Sequence, residues 1–133
     1  DMLQELYRFV AQICDFLDKN INANQSVAER AKTYIEAHYA DSGLTLDQVA
    51  GEMGISPNYF SALFKRETGQ NFSYFLTETR MGQAMTLLTG TDMKTATVAE
   101  AVGIPDPSYF SYVFKRSYGL SPSQVRKRRE GEA

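Results

Sequence analysis

The sequence predicts an all-α fold: two helix-turn-helix lobes joined by a linker helix, with an extra helix at the N-terminus. Three observations carry this. A segment built from two short helices occurs twice, apolar residues recur at i, i+3 and i+4 as one helix face requires, and cap residues and glycines stand where such helices must start and stop. The segments divide at 1–24, 25–71, 72–90 and 91–133.

In the first segment Leu3, Val10 and Leu17 recur every seven residues, with Leu6 or Tyr7 and Ile13 or Cys14 between them. That is an a/d-like seam of period 3.5. Two readings stay open: an amphipathic helix packed on its own domain, or a helix in residues 1–20 that forms a homodimer or carries a signal from an upstream domain. The chain opens on Asp1 in place of Met, as a fragment of something longer would.

The second segment begins with a helix running to about Ala40. Ser26 and Glu29 form a capping box for it, and Val27, Ala31, Tyr34 and Ile35 turn inward. Thr45 and Gln48 are a second capping box, followed by Leu46, Val49, Ala50 and Met53 at helical spacing. Gly54 supplies the left-handed position that ends this helix. Ser56 then caps a new helix with Pro57 in its first turn. The same frame returns downstream: VAGEMGIS-PNYFSALFKRETG over residues 49–69 aligns with VAEAVGIPDPSYFSYVFKRSYG over residues 98–119. The offset is 49 residues ahead of the turn and 50 after it. In this second copy Gly103 stops the first helix, Asp106 caps the next and Pro107 starts it. Helix, tight turn, helix is the signature of the motif. Thr95 stands where the first copy has Leu46, so this helix start lacks a good cap.

Between the copies Phe72, Phe75, Leu76, Met81, Ala84, Leu87 and Leu88 mark one helix of roughly 17 residues, on the order of 25 Å long, with Gly90 near its end.

Composition narrows the chemistry. One cysteine, Cys14, and one histidine, His38, cannot assemble a zinc site or a Cys–His nucleophile alone. Cys14 reads as a small packed hydrophobe, and His38 as a residue on a helix face. No paired acids, metal spacing or phosphate-cradling glycine loop is present, so catalytic residues, metal and cofactor are expected to be absent. No apolar run approaches the ~18 residues of a membrane span; cysteine usage suits a reducing cytoplasm. The net charge of −2 is unevenly spread: residues 44–133 hold ten Lys/Arg against nine Asp/Glu, and eight of those cations fall in three clusters, Lys65-Arg66, Lys115-Arg116 and Arg126-Lys127-Arg128-Arg129.

The second helix of each copy has two faces. Phe60, Leu63 and Phe64 form a core stripe in the first, and Phe110, Val113 and Phe114 in the second. The complementary stripes are Asn58, Ser61, Ala62 and Lys65, and Ser108, Ser111, Tyr112 and Lys115. A slim polar face enters a DNA major groove; Asn pairs with adenine, Ser serves several base edges, and an alanine methyl meets a thymine methyl. Lys65 and Lys115 are placed for guanine or phosphate. A solvated helix face is the plain alternative, and a helical protein–protein interaction module with vestigial DNA binding is the rival function.

These motifs, with FxxFLxxxRMxxAxxLL between them, resemble the AraC/XylS transcriptional regulators from about residue 27 to 129. The lead-in AKTYIEAHYADSGLTL and the phrase FKRETGQNF are similar to the YesN-like subgroup, whose DNA-binding domain ends a response regulator or a membrane sensor. The resemblance implies seven helices in two lobes, one recognition helix in each, reading two adjacent major-groove segments of double-stranded DNA roughly 34 Å apart. It makes Asn58, Ser61, Ala62, Lys65, Ser108, Ser111, Tyr112 and Lys115 the base-reading set. Arg80 matches the linker-helix arginine, which in such domains supports the lobes or contacts the DNA backbone; with Arg66, Arg116, Arg126 and Lys127 it makes the backbone-contacting set. The expected role is a cytoplasmic activator, with RNA polymerase as a partner, an upstream receiver or sensor domain in the same chain, and no small-molecule site in this segment. The sequence departs from the family pattern at Ile104, where an aromatic is usual, at Pro105 and Pro107 around the second turn, and at Val125, where Tyr precedes the arginine more often.

Overall fold

The computed structural model describes residues 2–12 and 26–131. Cys14 and the Ile13–Leu17 part of the heptad seam lie outside the described residues. Regular structure among those described is entirely helical: α1 (2–12), α2 (Val27–His38), α3 (Leu46–Met53), α4 (Pro57–Thr68), α5 (Phe72–Gly90), α6 (Thr95–Ala101), α7 (Pro107–Tyr118) and α8 (Pro122–Arg129).

Local chemistry accounts for most helix starts. Thr45 and Gln48 close a reciprocal capping box on α3, and Ser121 and Gln124 close another on α8. The two groove-facing candidates are capped equivalently. Ser56 accepts from the Tyr59 amide at 3.2 Å on α4, and Asp106 accepts from the Ser108 amide at 3.0 Å on α7. Each satisfies an amide that has no intrahelical partner. Ser26 caps α2 through the Glu29 amide. The α6 start, which the sequence marks as weak, has Lys94 at the cap and no side-chain hydrogen bond there.

Each lobe has its own apolar core. Ala28, Ala31, Ile35, Val49, Ala50, Phe60, Phe64, Phe72 and Leu76 form the first. Met81, Ala84, Leu88, Val98, Ala99, Val102, Ile104, Phe110, Phe114 and Val125 form the second. Helix α5 serves both, its N-terminal half in one core and its C-terminal half in the other. Val113, placed with the core stripe by its spacing, is only half-buried. Tyr39, just after α2, packs against both cores.

The duplication extends to how each lobe closes. The last turns of α2 and α5 leave carbonyls without intrahelical donors. In the first lobe Arg80 of α5 donates to the Tyr39 carbonyl through Nε and to the Asp41 carbonyl through Nη2, each at 2.9 Å. In the second lobe Arg126 of α8 donates to the Leu88 carbonyl through Nε at 2.8 Å, and to Met93. Leu88 is the repeat counterpart of Tyr39, 49 residues on. Arg129 adds contacts to the Leu88 and Thr91 carbonyls and an ion pair with Asp92 at 2.8 Å. The basic run 126–129 is therefore the end of a helix, and two of its four residues, Arg126 and Arg129, are turned onto the protein.

Helix α1 stands apart from both cores. Its residues are exposed, including Leu6, Tyr7, Phe9 and Val10. None of its residues belongs to either core among the described residues.

Candidate nucleic-acid interface

The cores fix the roll of α4 and α7. Phe60, Leu63 and Phe64 are buried on α4, and Phe110 and Phe114 on α7. The opposite faces are thereby turned outward. Asn58, Ala62 and Lys65 are exposed on α4, as are Ser108, Tyr112 and Lys115 on α7. Ser61 and Ser111 are each half-buried, because each follows the innermost phenylalanine and lies at the edge of the core stripe. Every outward residue of the two stripes is thus accessible, and the two copies present them in the same register.

Arg66 and Arg116 are exposed beside the lysines. All four cations stand in the last turn of their helices, where the carbonyl end of the helix also favours positive charge. Lys127 is exposed on α8. Arg80 and Arg126 are different. Both guanidiniums are half-buried and bonded to backbone carbonyls within the domain. Two nitrogens of each guanidinium thus close the lobes, and Arg66, Arg116 and Lys127 are the exposed members of the backbone-contacting set. Burial lowers the Arg80 pKa from its ordinary value, opposed by the charge of Asp41.

Tyrosines flank the outward stripes. Tyr59 and Tyr109, equivalent in the two copies, are each 57% exposed. An aromatic left in solvent at the same place in both copies could have been picked out from the paired Tyr-Phe-Ser motif, but the sequence reading assigned it no role. Tyr74 is exposed as well, on the first turn of α5. Tyr74, Ser73, Thr77 and Glu78 face Tyr109, Tyr112, Arg116 and Ser117 across a cleft of about 540 Å³ between α5 and α7. Tyr118, beside Glu78, has its phenol pKa raised, first by burial and then by that carboxylate. The cleft walls are rich in hydroxyls and carry one cation and one acid.

His38, placed on a helix face by the sequence, is exposed; its ring stacks on Tyr34 at 4.0 Å and its Nδ1 lies 2.9 Å from the Tyr34 carbonyl. Among the described residues no group of three or more His, Cys, Asp or Glu is placed to hold a metal ion. No helix among them is long and apolar enough to cross a membrane.

Comparison with known proteins places this geometry. Residues 49–128 match the family model described as a helix-turn-helix domain. The uncharacterized HTH-type transcriptional regulator YijO of Escherichia coli (strain K12) is 40% identical over 104 residues, 78% of this chain and 36% of that protein. The solved C-terminal domain of AraT, a response regulator from Geobacillus stearothermophilus, is 39% identical with a TM-score of 0.76, over 78% of this chain and 86% of that one. The DNA-binding domain of AdpA, solved in complex with a target DNA, superposes with a TM-score of 0.76 at 22% identity, over 81% of this chain and 96% of that one, a likeness of fold. The chain spans about a third of the length of the curated relatives it matches.

Proposed function

The chain belongs to the AraC/XylS family of DNA-binding helix-turn-helix transcriptional regulators, and from that premise we propose that α4 and α7 enter two adjacent major-groove segments on one side of a duplex. The observation that carries this reading is the duplication itself: two equivalently capped helices, each anchored by a pair of buried phenylalanines, each turning a small polar stripe outward.

The division of labour follows from side-chain chemistry. Asn58 offers a paired donor and acceptor to an adenine edge, Ser61, Ser108 and Ser111 offer hydroxyls to several bases, and the Ala62 methyl and the Tyr112 ring supply apolar contact. Lys65 and Lys115, one or two turns further along, reach guanine or phosphate. Arg66, Arg116 and Lys127 hold the backbone and set register without reading sequence. No step of bond making or breaking is involved; the domain is a reader and not an enzyme.

Selection of bound duplexes from a randomised pool, followed by footprinting, tests this. The expected site covers about two helical turns with two protected groove segments; protection of a single segment would defeat the two-lobe reading. Replacing Asn58 by Ala is expected to cost about 1–3 kcal/mol on the selected site and to relax preference at one base pair only. Titration against duplexes substituted at each position measures this, and a uniform loss across all positions would reassign Asn58 to the backbone.

The whole protein is a cytoplasmic, signal-responsive regulator, in this reading an activator that acts with RNA polymerase. The greater length of the relatives and the response-regulator context of AraT support an upstream receiver or sensor domain. Residues 1–20 then pair with a second copy. The heptad seam and the exposure of Leu6, Tyr7 and Val10 in α1 support this. Val10→Asp is expected to shift the sedimenting species from dimer to monomer, and an unchanged sedimentation coefficient would place the contact elsewhere.

A further inference from the structure

One backbone carbonyl joins the two lobes. Tyr39 follows the last turn of α2, in the first lobe, and its carbonyl accepts from Arg80 Nε at 2.9 Å. The same carbonyl is approached from the other lobe by Gly103, the turn residue between α6 and α7. Gly103 is buried with φ +87°, and a Cβ there would stand 2.5 Å from the Tyr39 oxygen and 3.0 Å from Arg80 Nε. Its counterpart Gly54 has φ +77° and nothing within 4 Å of such an atom. The positive φ alone demands glycine at 54. At 103 glycine is demanded a second time, by close approach of lobe to lobe.

The surrounding packing makes this seam stiff. The Tyr39 side chain packs against both cores. The Arg80 guanidinium spans two acceptors, the Tyr39 and Asp41 carbonyls, and a planar fork held at two points resists rotation in a way that a single ammonium does not. Gly103 opens the short turn Gly103–Asp106 that leads into α7, so holding its backbone restrains the second recognition helix.

We propose that the Tyr39–Arg80–Gly103 junction is a latch that sets the disposition of α7 relative to α4, and so selects the spacing between the two DNA segments that the domain accepts. The inference rests on the two-segment reading above. One base pair of added spacing moves the second segment by about 3.4 Å and turns it by roughly 35°, a displacement that a rigid seam does not follow. Arg80 and Gly103 act here as positioning residues.

Two measurements test the latch. In the first, duplexes from the selection are rebuilt with the segments one base pair closer, at parent spacing, and one base pair further apart, together with a duplex carrying only one segment. The unaltered protein is expected to prefer parent spacing at least tenfold. Arg80→Lys, which keeps the charge and loses the fork, and Gly103→Asn, which accepts positive φ but adds a Cβ, are expected to reduce that preference to threefold or less. Both should bind the one-segment duplex within twofold of the unaltered protein. Gly54→Asn, in open space, is the matched control and should keep the full preference. Undiminished spacing preference in both seam variants overturns the proposal, as does a loss on the one-segment duplex equal to the loss at parent spacing.

The second measurement needs no DNA, so it separates failure of the latch from failure of the groove-reading function. Nitroxide labels at Glu52→Cys on α3 and Glu100→Cys on α6, both exposed positions, in a Cys14→Ser background, report the distance between lobes by pulsed electron spin resonance. One narrow distance is expected in the unaltered protein and with Gly54→Asn, and a broadened or shifted distribution with Arg80→Lys and Gly103→Asn. Identical narrow distributions in all four would overturn the latch whatever the DNA result.

Discussion

Replacing Phe110 with Ala is expected to destabilise the protein by about 3–5 kcal/mol, the range for deleting a fully buried phenyl ring. Phe110 is 0% exposed, and its ring lies 5.9 Å from that of Phe114 in a core that α5, α6, α7 and α8 share. The effect is large against the whole stability of a small domain, about 5–15 kcal/mol. Because the lobes have separate cores, the loss should be uneven: in native-state hydrogen exchange, amides of α6–α8 lose protection while those of α3 and α4 lose much less. Phe64→Ala should produce the mirror image. Circular dichroism during urea unfolding gives the total, and Phe110→Leu should recover most of it. Equal loss of protection in both lobes would show that the two cores unfold as one unit.

The same separation explains how much was legible in the sequence. Helix starts and stops are local events, so Ser56, Asp106, Thr45 and Gly54 announced α3, α4 and α7 without any knowledge of the fold. The duplicated frame then supplied the roll of both recognition helices. Buried Phe60-Leu63-Phe64 leaves Asn58, Ala62 and Lys65 outside by helical geometry alone. The partners of Arg80 and Arg126 were not legible, for the opposite reason. A cation in a basic or family-matched position looks available to phosphate. Whether it is free depends on carbonyls 41 and 38 residues away along the chain, at Tyr39 and Leu88, which only tertiary packing brings near. The second demand on Gly103 was hidden in the same way, since its positive φ already accounts for a glycine there. The Tyr74–Tyr112 cleft joins residues of the linker and the second lobe, and no periodicity within one helix reports it.

Reversing both recognition-helix lysines, Lys65→Glu with Lys115→Glu, is expected to weaken binding to the selected duplex by about 3 kcal/mol, roughly 100-fold. Both side chains are exposed and make no ion pair within the described residues, so each is available to the phosphates, and reversal replaces attraction by repulsion for about 1–2 kcal/mol per site in high dielectric. The fold should be indifferent. Among the described residues these charges gain from their place in the last turn of a helix, typically 0.3–1 kcal/mol each, and Lys→Gln at both sites separates that contribution from DNA contact. Salt supplies the decisive readout. If the lysines neutralise phosphates, the slope of log K against log salt becomes shallower by about two, one for each lysine removed. A domain whose outward faces bind protein instead would show no salt-dependent DNA retention for the reversal to abolish, and an unchanged slope with unchanged folding would return Lys65 and Lys115 to the ordinary solvated surface.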